Sequence, residues 1–147
     1  MAAPPVIGDL LDDALEVFRA FSLDGHRKKQ KVRARCFYRL PDDTDGVSLG
    51  RTPDAAVAHL EYNHGYCSLN VGRVHTMPYG LQVRSDPKDN LHALIHNVPF
   101  IDSPDDEERK AAEVIAGALA RTAVLVTNEP YIPVTPGPQP APRLPEV

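Results

Sequence analysis

KVRARCFYRLPDDTDGVSLGRTPDAAVAHLEYNHGYCSLNVGRVHTMPYGLQVRSDPKDNLHALIHNV, residues 31–98, is the stretch that decides the fold. Its first ten residues alternate: Val32, Ala34, Cys36, Tyr38 and Leu40 take one face, and Arg33, Arg35, Phe37 and Arg39 the other, the period of a strand. Pro41 to Gly46 is dense in turn residues, Val47-Ser48-Leu49 reads as a short strand, and Gly50 ends it. Thr52 then caps a helix that opens on Pro53 and Asp54 and runs to about Tyr62, where Asn63-His64-Gly65 closes it. Three further strands are predicted, Tyr66–His75, Leu81–Arg84 and Leu91–Val98. They are separated by the turns Met77–Gly80 and Asp86–Asn90.

Outward from this centre, residues 8–22 place Leu10, Leu11, Ala14, Leu15, Phe18 and Phe21 at helical spacing, which predicts an amphipathic helix. On the far side Ser103 is expected to cap a second long helix, with Pro104 first inside and Asp106 at its third position. Ala123–Val126 then reads as a buried strand. The expected architecture is a single α+β domain, residues 1–128: a mixed or antiparallel sheet of five or six strands covered by three helices. A proline-rich arm follows, with seven prolines between Glu129 and Val147, a composition that favours extended polyproline geometry.

Composition narrows the function classes. The chain has 147 residues, 42% hydrophobic and 24% charged, so its body folds rather than staying disordered. A net charge of −4 argues against a protein that coats nucleic acid, although six of the ten residues 26–35 are Arg or Lys. Cys36 and Cys67 read first as small buried core residues, a disulfide being the lesser reading. The first residues carry neither a basic n-region nor an apolar h-region, and no apolar run approaches the roughly 18 residues of a membrane span. The expectation is a soluble, cytoplasmic protein.

The chemistry-bearing residues are sparse. His92 and His96 share a strand face but lie roughly 13 Å apart along it, too far to hold one ion together, so no metal site is expected. The acidic turn Asp42–Asp45 lacks the full calcium-loop pattern. Gly46-Val47-Ser48-Leu49-Gly50 matches the spacing of a nucleophile elbow but not its strand-to-helix context. Neither a phosphate-binding loop nor a dinucleotide fingerprint occurs.

One constellation points further. Phe37-Tyr38-Arg39, a polar loop, the strand bearing Ser48 and the helix from Pro53 together resemble the opening of small bacterial NAD-dependent ADP-ribosyltransferase folds, including RES-type domains, over residues 36–62. The resemblance implies that Arg39, with Tyr38 beside it, contacts the dinucleotide, and that Ser48 shapes the nicotinamide pocket. It also implies a later acid that completes the site. No glutamate lies on the Leu81–Val98 strands, which leaves Asp86, Asp102 or Glu129.

Two function classes follow. One is an accessory protein whose domain and arm, residues 129–147, bind a larger protein partner; it is favoured because no catalytic constellation is complete. The other is a NAD-using or related nucleotide-processing enzyme, with Arg39 on phosphate and Ser48, His92 or His96 near the reacting group. They are distinguished by whether Arg39, Ser48 and one histidine converge on a single concave pocket: convergence with a carboxylate nearby favours the enzyme, and a filled, flat surface there favours the interaction protein.

Overall fold

The computed structural model describes residues 8–21, 27–28, 31–58 and 65–126; the proline-rich arm lies outside them. In chain order the elements are β1 (Glu16–Ala20), β2 (Arg27–Lys28), β3 (Lys31–Val32), β4 (Val47–Gly50), α1 (Pro53–Val57), β5 (Tyr66–Asn70), α2 (Val71–Thr76), β6 (Gln82–Asp86), β7 (Asp89–His96), α3 (Asp106–Thr122) and β8 (Val124–Leu125). Six of the strands form one antiparallel sheet in the order β6-β7-β4-β1-β5-β8, and β2 and β3 pair separately as a hairpin. The α+β expectation and its strand and helix numbers hold.

Ala123–Val126, expected as a buried strand, gives only the short edge strand β8 with Val124 and Val126 exposed, and three further segments differ from their predicted form. Of the predicted helix 8–22, the described residues 8–21 are not helical. Asp12 makes a turn instead, its side chain accepting from Ala14 N–H at 2.8 Å and its carbonyl from Leu15 N–H at 3.0 Å. Beyond it the run Val17-Phe18-Arg19 extends as β1, because turn chemistry at Asp12-Asp13 outweighs the helical spacing of the leucines. Before the turn, Gly8–Leu11 lies along β6, with Ser85 N–H donating to the Asp9 carbonyl (2.8 Å) and Leu11 N–H to that of Val83 (2.9 Å). A Cβ on Gly8 would sit 1.7 Å from the Ser85 carbonyl oxygen, so only glycine allows this approach.

The predicted strand 31–40 is extended only at Lys31–Val32; Ala34–Phe37 coils into a 3-10 turn that buries the adjacent Cys36 and Phe37 and packs on α3. The predicted strand Tyr66–His75 stops at Asn70, whose side-chain oxygen accepts from Arg73 N–H at 3.0 Å and starts α2. For α3 the cap is Asp105, which accepts from Glu107 N–H (3.1 Å). Ser103 braces it from two residues earlier by accepting from Asp105 N–H (3.1 Å). Thr52 caps α1 as expected, accepting from Ala55 N–H at 3.0 Å.

The main core fills one face of the sheet. Val17, Val47, Leu49, Leu69, Val83 and Ile95 pack there with Val71 and Val74 of α2 and Ile115, Ala116 and Leu119 of α3. The other face carries Ser48 and Gly50 and is covered by α1. Gly50 makes that cover possible: a Cβ there would lie 2.4 Å from Ala56 N. Among the described residues no helix is long and apolar enough to cross a membrane.

Candidate functional site

β1 meets its two neighbours unequally. Its ladder with β5 runs through Glu16–Asn70, Val17–Leu69, Phe18–Ser68, Arg19–Cys67 and Ala20–Tyr66. With β4 it shares one pair only, Phe18 opposite Gly50. Beyond that pair the strands part. The Arg19 side chain enters the gap: Nη1 donates to the Ser48 carbonyl at 2.7 Å and Nε to the Cys36 carbonyl at 2.9 Å. A side chain thus takes a carbonyl on the β1-facing side of β4.

A small cavity of about 160 Å³ opens at this parting, walled by Phe18, Arg19, Ala20, Asp43, Ser48, Leu49, Gly50, the helix residues Ala55 and Ala56, and His92. The β4–β7 register sets Gly50 opposite His92 and Ser48 opposite Leu94, so Ser48 and His92 are diagonal neighbours on one sheet face. Asp89 fixes the histidine ring, its Oδ2 lying 3.1 Å from His92 Nδ1. Among the described residues no carboxylate lies within ion-pair distance of Arg19, and its half-buried guanidinium is held by the two carbonyls. Arg19 leaves β1 on the core face with Val17, whereas Ser48 and His92 lie on the face that α1 covers, so the polar groups around this volume reach it from both sides of the sheet at the parting.

A second, larger cavity of about 680 Å³ lies on the same face over β6 and β7, lined by Arg39, Thr44, Asp45, Lys88, Leu94 and His96 among others. Leu94 is the direct partner of Ser48, so the two cavities are neighbours across one residue pair. His96 Nε2 is buried here with no hydrogen-bond partner among the described residues. Burial, with Arg84 and Arg39 adding to it, holds the His96 imidazolium below the usual histidine range, although Asp45 pulls the other way.

Of the residues singled out from sequence, Ser48 and His92 come together in the small cavity, whereas Arg39 and His96 share the larger one. Arg39 holds loops together: Nε donates to the Asp43 carbonyl (2.8 Å), Nη1 to Val98 (2.9 Å) and Nη2 to Thr44 (2.7 Å), and its guanidinium stacks 3.9 Å over Phe100. Tyr38 packs half-buried against the core. Asp86 lines the larger cavity, and its carboxylate accepts from Lys88 N–H at 2.9 Å. Two residues at this cavity were not anticipated, Arg19 in its wall and Asp89 against His92. The alternation Val17-Phe18-Arg19-Ala20-Phe21 is the signal that marks Arg19 as a strand residue.

His75 makes an acid–imidazole couple of another kind. Its Nε2 accepts from Val83 N–H at 3.0 Å, so Nδ1 carries the proton and donates to Asp13 at 2.7 Å. Both nitrogens are engaged, and the ring serves as a clamp between α2, β6 and the turn before β1. Among the described residues no three His, Cys, Asp or Glu side chains cluster as metal ligands. No family model, curated protein or solved structure matches the chain.

Proposed function

We propose that the chain is a NAD-using enzyme of ADP-ribosyltransferase type, with its site where β1 and β4 part. The observation that supports this is one cavity lined by Arg19, Asp43, Ser48 and His92, with Asp89 against the histidine; Arg39, the arginine expected beside Ser48, lies in the neighbouring cavity instead. Arg19 rather than Arg39 takes the dinucleotide-contacting role, because the charge of Arg39 is already saturated by three carbonyls and a ring. Ser48 shapes the small cavity for the nicotinamide ring. His92, steadied by Asp89, stands where the departing nicotinamide and the incoming acceptor need a polar group. The larger cavity across the Ser48–Leu94 pair takes the remainder of the dinucleotide.

Thermal-shift titration with NAD tests this. Millimolar NAD raises the melting temperature by mass action, and Arg19→Gln and His92→Ala each remove the rise. Arg39→Gln lowers the melting temperature of the free protein yet keeps the rise. An unmoved melting temperature with NAD, or a rise that survives Arg19→Gln and vanishes in Arg39→Gln, overturns the proposal.

A further inference from the structure

We propose that the larger cavity over β6 and β7 is a purine-nucleoside site, in which His96 meets the base and Asp45 the ribose diol. The proposal deepens the function given above and rests on it in one respect, the placing of the adenosine half of NAD here; binding of the free nucleoside needs no nicotinamide. The cavity, about 680 Å³, falls inside the size range of small-molecule sites. Its walls come from β6, β7 and the loop before β4, and side chains tie these together. Arg39 bridges the Thr44 carbonyl (2.7 Å) and that of Val98 (2.9 Å), joining the loop to the end of β7. Arg84 of β6 donates from Nη1 to the Gly8 carbonyl (3.0 Å) and from Nε to Gln82 Oε1 (3.0 Å), fixing the far wall. The site is formed before an occupant arrives.

The charges around the cavity cancel. Arg39 and Lys88 stand against Asp45 and Asp86, and the desolvation that holds His96 below the usual histidine range leaves its ring neutral at pH 7. Such a lining suits a neutral, polar occupant and not a polyphosphate or a polycation. Leu94 and Pro87 supply apolar wall on which a planar ring packs, and the volume takes a two-ring base together with its sugar. His96 supplies the specific contact. Its ring lines the cavity, yet Nε2 is buried without a hydrogen-bond partner among the described residues, a cost that folded proteins rarely carry. A turn about the broad χ2 torsion brings that nitrogen to an occupant. A neutral imidazole nitrogen donates in one tautomer and accepts in the other, so it matches the mixed donor and acceptor edge of a purine. Asp45 lies close enough to His96 to act on its charge, and its carboxylate makes no hydrogen bond or ion pair among the described residues. A carboxylate left open in this way accepts from the two hydroxyls of a ribose. Lys88 stands exposed at the rim, a partner for a 5′-phosphate.

Calorimetric titration of the full chain with adenosine, alongside amide NMR shifts that locate the ligand, tests this. Adenosine is expected to bind and to shift the amides of Leu94, His96 and Asn97, and cytidine to bind less tightly. His96→Leu removes an unsatisfied buried nitrogen, so it is expected to fold as the parent does and to weaken adenosine about fivefold or more. Asp45→Asn is expected to weaken adenosine, whereas 2′-deoxyadenosine, lacking one hydroxyl of the diol, binds parent and variant alike. Arg19→Gln, in the small cavity, leaves adenosine binding unchanged. No heat and no shift with adenosine, shifts confined to the small cavity, cytidine bound as tightly as adenosine, or adenosine binding that survives both His96→Leu and Asp45→Asn overturns the proposal. Adenosine bound where NAD is not upholds this site and sinks the dinucleotide reading, so the two failures are told apart.

Discussion

An arginine acts through whichever of its five N–H groups the fold leaves open. Arg39 and Arg19 are both partly buried and both bind backbone carbonyls, yet only Arg19 stands beside Ser48 and His92. From sequence Ser48 and His92 were legible as polar residues on strands of one sheet. Arg19 was not, because the leucines around it carry a helical period that masks the shorter alternation of Val17, Arg19 and Phe21. His96 illustrates the residue scale differently. Its folded-state pKa lies below the unfolded value near 6.5, so between the two the unfolded chain binds more protons, and stability falls as pH drops below about 6.5 toward the folded value. Urea denaturation at pH 7.5 and 5.5 is expected to show a smaller loss of stability on acidification in His96→Gln than in the parent. Parallel losses in the two proteins would remove His96 from the account.

Elements in this chain are set by small polar residues more than by apolar period. Asn70 ends β5 and begins α2 in a single residue, accepting from Arg73 N–H while its amide donates to the Asp13 carbonyl at 3.1 Å. A continuous alternation from Tyr66 to His75 hides that switch, since Val71 and Val74 suit a strand as well as the buried side of a short helix. Strands 47–50, 82–86 and 89–96 were legible because glycine or a proline turn bounds them on both sides. Asn70→Ala removes a cap and a loop tether together, and is expected to cost about 1–2 kcal/mol of unfolding free energy. Chemical denaturation measures this, and a midpoint equal to the parent's would show that α2 is held by packing alone.

Among the described residues, the buried apolar core runs from Leu11 to Ala120. A chain ending at residue 128 is therefore expected to melt at nearly the same temperature as the full chain. If the proline-rich arm docks on a partner, that truncation also abolishes co-purification of the partner; retained co-purification would end the docking idea. One outer edge of the sheet, β6, is sealed by Gly8–Leu11, so that end is fixed by backbone bonds on both sides. The middle is different. With Phe18–Gly50 as the single rung between β1 and β4, the six strands behave as two three-stranded plates, β6-β7-β4 and β1-β5-β8, joined at one rivet with the Arg19 side chain as a strut beside it. The backbone ladder is thinnest along that seam, where α1 and the shared core, rather than strand pairing, hold the plates together. A molecule that wedges into the seam loads the strut and the rivet and leaves the stiffness of either plate untouched.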